Sequence, residues 1–271
     1  MTEGTMSTYS PGKTKHLRKV FHFLLILIGL TFISCHKKTA EGLTVIVQQT
    51  RHEGPVQSEL AMVDPDRPDK DPIVIVNEFH EVGSPEISYQ GDAVLFQAKR
   101  NPEEYWQIWE YDLAADELHQ LTDADSDCKD PTYLPDGRIV YSRFLADYSG
   151  YHVLETCQAD GSAIQQITFG PIDFTSPIVL RDGRILALAK EVYPNKNRTQ
   201  LMVMRPDGTK IELFYEPSND MAIVPDAGVF ETTDGRIAFQ ETTLDKKAGA
   251  EWFSVNYDNP MGSRASFDAK G

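Results

Sequence analysis

Asp123, Asp125, Asp127 and Asp130 form the densest run of acidic side chains in the chain. Carboxylates spaced Asp-x-Asp-x-Asp open calcium loops, because a hard divalent cation is held by several oxygen ligands at once. The match stops there. The sixth loop position is Cys128, where the sharp turn needs glycine, and the twelfth is Leu134, where a bidentate Glu would close the site. A Ca2+ site at Asp123, Asp125 and Asp127 therefore competes with a plainer reading, an exposed loop whose last acid, Asp130, caps the entry to a strand. Other chemistry is thinner still. No Gly-x-Ser-x-Gly nucleophile turn occurs, and His36, His52, His80, His119 and His152 are scattered without metal-ligand spacing. No Cys-x-x-Cys-His is present for covalent haem. Tyr105, Trp106, Trp109 and Tyr111 could stack on a sugar or peptide, although packing between structural units is the commoner use of such a cluster. The inventory leans away from an enzyme without closing that question.

The elements that must position these groups repeat. Asp136-Gly137-Arg138-Ile139, Asp182-Gly183-Arg184-Ile185 and Asp234-Gly235-Arg236-Ile237 are near copies, and Gln90-Gly91-Asp92-Ala93 is a degenerate fourth. A period of roughly 46–52 residues signals blades or a solenoid. Within one period, Pro131 to Leu134 is extended, and Pro135-Asp136-Gly137 makes a turn with glycine at the φ > 0 position. Arg138 to Phe144 alternates apolar with polar residues, as strands do. Tyr151 to Thr156 reads as a third strand, Asp160-Gly161 as a hairpin turn, and Ile164 to Thr168 as a fourth strand. A second turn family, Asp160-Gly161 and Asp207-Gly208, keeps the same phase. Four antiparallel strands per unit describe a propeller blade. The fold class is all-β, with no window that repeats at 3.6 residues in support of a long helix.

Pro135-Asp136-Gly137-Arg138-Ile139-Val140-Tyr141, then Asp160-Gly161, then Gln166-Ile167-Thr168 resembles the repeat of TolB-like β-propellers, and Leu118 to Thr122 echoes its closing element. The resemblance spans residues 43 to 268 and is strongest from 84 to 217. It implies a propeller fold and says little about activity, since the repeat occurs in binding proteins, in accessory domains of peptidases and in enzymes. The separate N-terminal α/β domain of TolB has no counterpart here, because strand-like sequence starts at Leu43.

The N-terminus carries a different signal. Lys13, Lys15, Arg18 and Lys19 precede an apolar run from Val20 to Ile33, shorter than the roughly 20 residues of a spanning helix. Phe32-Ile33-Ser34-Cys35 resembles a bacterial lipoprotein cleavage box, with Phe32 departing from the usual Leu. The resemblance implies a signal peptide over 1–34, lipidation at Cys35 and a tether over 35–42. His36-Lys37 lacks the Asp associated with inner-membrane retention, which implies the outer membrane, facing the periplasm. Each buried CH2 of an acyl chain adds about 0.8 kcal/mol of anchoring.

The formal net charge is −15, and the leader's four basic residues against Glu3 leave the remainder more acidic still. Nucleic acid needs a basic footprint and is excluded as a partner class. An acidic surface favours solubility and cationic partners. Cys128 and Cys157 fall two strand spacings apart in one unit, about 10 Å, beyond the roughly 7 Å reach of a disulfide. Two buried free thiols are expected.

The units run over about 43–83, 84–125, 126–170, 171–218 and 219–271. The first reads as only three strands, and only Asp268 to Gly271 follow the last. About five blades are visible where TolB-like rings usually have six, so an incomplete ring is expected, either truncated or closed through a partner. Loops at one mouth of the central channel are the expected functional surface, with Asp130 and Asp173 as the ligand-binding residues. The expected function is binding of a protein, peptide or glycan in the cell envelope without catalysis. The alternatives are a propeller-type polysaccharide lyase or hydrolase, or the propeller part of a larger envelope protein or prolyl-peptidase-like enzyme.

Overall fold

Asp-Gly turns fold the chain back on itself in the third, fourth and fifth units. In the turn at Asp136-Gly137, the Leu134 amide donates to the Arg138 carbonyl (2.7 Å) and the Gly137 amide to the Leu134 carbonyl (2.9 Å). The same pair of bonds recurs at Leu180–Arg184 and at Thr232–Arg236, and even the degenerate copy closes through Gly91 N–H to the Ser88 carbonyl. Identical turn chemistry gives identical hairpins.

The structure, a computed structural model, describes residues 58–146, 150–191, 198–245 and 249–266, and the backbone of 45–50. Cys35, the leader and the tether lie outside the described residues. The first sheet pairs β1 (Val45–Thr50), β2 (Ser58–Val63) and β3 (Ile73–Val76) in sequence order, and it has three strands. The next three sheets are four-stranded antiparallel meanders. The second comprises β4 (Glu81–Ile87), β5 (Ala93–Lys99), β6 (Gln107–Asp112) and β7 (Glu117–Gln120). The third comprises β8 (Cys128–Tyr133), β9 (Ile139–Leu145), β10 (Tyr151–Cys157) and β11 (Gln165–Gln166). The fourth comprises β12 (Ile172–Val179), β13 (Ile185–Glu191), β14 (Thr199–Met204) and β15 (Glu212–Tyr215). In the fifth, β16 (Met221–Ile223) and β17 (Val229–Glu231) share one edge of β18 (Arg236–Thr243), followed by β19 (Glu251–Asn256) and β20 (Ala265–Ser266). A 3-10 turn at Pro225–Ala227 splits this innermost strand in two. The all-β propeller architecture expected from the turns is the architecture found.

The second and third sheets end on the same device. β7 and β11 stop early, which would orphan a buried amide in the neighbouring strand. Thr122 Oγ1 accepts the Ile108 N–H, and Thr168 Oγ1 accepts the Leu154 N–H, both at 2.8 Å. Gln120 and Gln166 then donate to the carbonyls of the same threonines. The Gln-Leu-Thr and Gln-Ile-Thr echoes are therefore side-chain substitutes for the missing ladder, and they satisfy groups that burial makes expensive to leave alone.

The core lies between sheets. Leu60, Val76 and Phe79 pack against Val94, Phe96 and Trp109 across the first interface. Leu95, Ile108 and Leu121 meet Cys128, Ile139 and Tyr141 across the second. Leu154 and Ile167 meet Phe174 and Ile185 across the third, and Leu188, Leu201 and Phe214 meet Ile237, Phe239 and Phe253 across the fourth. Four apolar clusters thus join five sheets in series, and among the described residues none joins the last sheet to the first.

Cys128 and Cys157 are buried and free, on strands separated by β9. Burial pushes both thiols up to about 12, which makes them packing residues without thiolate reactivity.

Candidate functional site

The innermost strand of each full sheet carries a defect at the same place. The register of β4 slips between Gly83 and Glu86, that of β8 between Lys129 and Thr132, and that of β12 between Thr175 and Ile178. At each slip a short polar residue takes left-handed backbone, Ser84 (φ 48), Asp130 (φ 51) and Ser176 (φ 49), and a proline follows it. Left-handed backbone costs a non-glycine residue on the order of 1–2 kcal/mol, and such strain concentrates where side chains must be aimed. These bulges turn Ser84, Asp130 and Ser176 into one central cavity of about 570 Å3. Glu86, Lys129, Ser142, His152 and Asp226 also line it.

The bulge residues are bonded to one another across sheets. Asp130 accepts from Ser84 Oγ at 3.1 Å, and from both the amide and Oγ of Ser176 at 3.2 Å. Its own amide donates to Gln97 Oε1 at 2.7 Å. One carboxylate thus ties three sheets together beside the cavity. Glu86 works similarly, accepting the Tyr133 amide of the next sheet at 3.1 Å. Burial raises the Glu86 carboxyl above its usual range, outweighing the hydrogen bonds from Thr132 and Tyr133 that lower it.

That shift has a consequence for stability. A carboxyl raised in the folded state holds its proton longer than in the unfolded chain, so stability declines as pH rises from the unfolded value through the folded one. Glu86→Gln keeps an acceptor for the Tyr133 amide and removes the buried charge. The variant is expected to be at least as stable as the parent at neutral pH, with a flatter dependence across that window. Urea unfolding at a series of pH values measures both.

Asp173 sits one layer behind the cavity. Its Oδ1 accepts the His152 backbone amide and lies 2.7 Å from His152 Nδ1. Burial works to raise its pKa, but the His152 hydrogen bonds and nearby Lys190 hold the carboxyl below its usual range. His152 lines the cavity, so Asp173 orients a wall residue. Its phase partner is Asp127, whose Oδ1 accepts the Trp106 amide at 3.0 Å. Both acids fasten a sheet's first strand to the third strand of the sheet before it.

The three candidate Ca2+ ligands, Asp123, Asp125 and Asp127, have separate surroundings. Asp125 bonds Arg143 Nη2 at 3.1 Å, Asp127 pairs with Lys129 at 2.9 Å, and Asp123 is exposed beside a separate cavity. Among the described residues no group of three or more His, Cys, Asp or Glu side chains is placed to hold a metal ion. Cys128 opens β8, so the chain enters a strand at the position where a calcium loop needs its turn glycine.

The aromatic cluster divides. Trp109 is buried against Phe79 (centroids 4.9 Å, 65°), with the Arg100 guanidinium 4.9 Å from the Trp109 ring. Trp106 instead faces Lys99 and Lys129, and Tyr105 is exposed. Packing between sheets accounts for Trp109.

Ser84, Ser176 and Ser142 escaped the sequence reading, because serine is common and these act only through position. The available signal was the phase of Ser84-Pro85, Asp130-Pro131 and Ser176-Pro177, with 46 residues separating both Ser84 from Asp130 and Asp130 from Ser176.

No family model matches the chain, and no curated protein matches it either. Solved structures do. The chain is similar to Kuenenia stuttgartiensis hydrazine synthase (TM-score 0.69, 16% identity), covering 84% of this chain and 39% of that one. It is similar to a puromycin hydrolase (TM-score 0.60, 15% identity; 84% and 36% covered). It is also similar to a putative TolB from Agrobacterium tumefaciens (TM-score 0.53, 15% identity; 63% and 60% covered). The chain spans less than two thirds of the length of each of these. At such identities the likeness carries the fold alone, and that fold is a TolB-like β-propeller.

Proposed function

We propose that this chain is a non-catalytic β-propeller of the bacterial cell envelope that binds a protein, peptide or glycan partner at the mouth of its central cavity. The observation that carries the reading is the convergence of four innermost strands on that cavity, with its polar groups held by the scaffold. Asp130 is fixed by Ser84 and Ser176, Glu86 by the Tyr133 amide, and His152 by Asp173. Groups held so firmly present a fixed pattern to a ligand, which suits recognition on a rigid scaffold. The lipoprotein-like segment ending at Cys35 supports envelope location, with acyl anchoring at the outer membrane and the propeller in the periplasm.

A second reading, that the chain is the propeller part of a longer envelope protein or peptidase, draws on the 39% and 36% of the hydrazine synthase and puromycin hydrolase chains that it covers.

Site-specific photo-crosslinking in the native envelope tests the main reading. A photoreactive residue at Asp226, on the cavity wall, should capture a partner. One at Phe169, exposed and outside the cavity lining, should not. Capture only from Phe169 would move the binding surface off the cavity.

A further inference from the structure

Ser142 is fully buried, lines the central cavity, and its Oγ makes no hydrogen bond within the chain. The neighbouring sheets show how unusual that is. Ser142 pairs with Lys129 just before the β8 bulge, and the equivalent partners of Gly83 and Thr175 are Gln97 and Leu188. Gln97 is satisfied, taking the Asp130 amide, while Leu188 is apolar and belongs to the core. Among the described lining residues Ser142 carries the buried hydroxyl that has no internal partner. Native proteins seldom leave such a group buried and unpaired, and an exception calls for a reason.

The charge around it is one-sided. Asp130, Glu86 and Asp226 line the cavity, and among the described lining residues the one Lys or Arg is Lys129. Its Nζ is 2.9 Å from Asp127 and stands over the Trp106 ring, so its charge is already matched. Asp130 makes no ion pair among the described residues. It receives only long bonds from hydroxyls and an amide, and a carboxylate has acceptor capacity for more. Pro85, Pro131 and Pro177 supply apolar walls beside it.

These features select a ligand chemistry. An anion would meet carboxylates. A bare divalent cation would need six or more oxygen ligands, and no cluster of three acidic or His side chains is present among the described residues. An ammonium group has three donors, no acceptor and an alkyl stem that packs on apolar walls. We propose that the central cavity binds an organic ammonium group, held between the Asp130 carboxylate and the Ser142 hydroxyl. The inference rests on reading this cavity as the binding site, and it narrows the partner to one presenting a peptide N-terminus or a lysine side chain.

Calorimetric titration of the full chain with n-butylammonium chloride at low salt tests it, with n-butanol and CaCl2 as comparators. Butylammonium should bind at least about tenfold more tightly than butanol, a difference of about 1.4 kcal/mol. Asp130→Asn should weaken it by about tenfold or more. Because Asp130 also braces three sheets, Ser142→Ala is the second variant. It removes an unpaired hydroxyl, so it should fold at least as well as the parent and still lose several-fold affinity for butylammonium. Trialanine amide with a free amine, set against N-acetylated Ala-Lys-Ala amide, separates the two sources of the group. Equal binding of butanol, unchanged affinity in Ser142→Ala, or binding of Ca2+ alone would overturn the proposal. Crosslinks at Asp226 without ammonium binding would sink the ligand chemistry and leave the site standing. Crosslinks elsewhere would remove the site itself.

Discussion

Gly208→Ala is expected to destabilise the fold by about 3 kcal/mol or more, while Gly137→Ala should cost only about 1 kcal/mol. Both glycines have left-handed backbone, φ +75 and +85. The difference is what a methyl group meets. At Gly137 nothing lies within 4 Å of an added Cβ. At Gly208 the Ile167 carbonyl oxygen would lie 2.0 Å away and its carbon 2.8 Å. Backbone cannot swing aside as a flexible side chain can, so the fourth sheet would have to lift off the third. Gly161 stands in the same relation to Leu121, at 2.4 Å. The second turn family thus docks each sheet onto the closing residue of the sheet before it. Urea unfolding of the two variants measures the difference. Equal losses would show that the docking contact is absent.

Glu241→Ala is expected to cost about 3 kcal/mol or more, because it breaks a buried pair and strands the partners. The Glu241 side chain has no solvent exposure. Its Oε1 accepts from Tyr215 Oη at 2.8 Å, and its Oε2 accepts from Arg264 Nη2 at 2.6 Å and Nε at 2.9 Å. Arg264 lies over the Phe253 ring, 3.5 Å from its centroid. Tyr215 belongs to the fourth sheet and Glu241 to the fifth, so one carboxylate links the two. Glu241→Gln retains an acceptor for Tyr215 and should lose roughly half as much. Thermal unfolding of both variants, with far-UV circular dichroism, gives the comparison. No loss in Glu241→Gln would mean that burying this charge costs as much as its partners return.

Much of the fold was legible because turn chemistry is local. Asp136-Gly137, Asp182-Gly183 and Asp234-Gly235 announce their hairpins within four residues, and the Gln-x-Thr echoes mark where β7 and β11 stop. The free state of Cys128 and Cys157 followed from strand counting alone. The site was less legible. Asp130 and Asp173 stand out in the sequence as acids near the start of innermost strands, and in the structure Asp130 lines the cavity while Asp173 lies behind His152. The residue in phase with Asp130 is Ser176. Its significance arises only when three bulges bring Ser84, Asp130 and Ser176 together across sheets. The partners of the acidic run at Asp123 appear only in the fold, where Asp125 meets Arg143 and Asp127 meets Lys129. The unpaired Ser142 hydroxyl could not be read at all, since an unmet hydrogen bond is a property of surroundings.

Five sheets joined by four apolar clusters make a line, and stability then has the character of a nearest-neighbour sum. A closed ring gives every unit two couplings, so none can loosen alone. Among the described residues the first and fifth sheets share in one cluster each. Ala238 opposite Ser254, and Gln240 opposite Trp252, stand where the fourth sheet carries Leu186 opposite Val203 and Leu188 opposite Leu201. The interior sheets holding Asp130, Ser142 and Ser176 are the ones coupled on both sides. On these couplings cooperativity is greatest in the sheets that supply Ser84, Asp130 and Ser176 to the cavity.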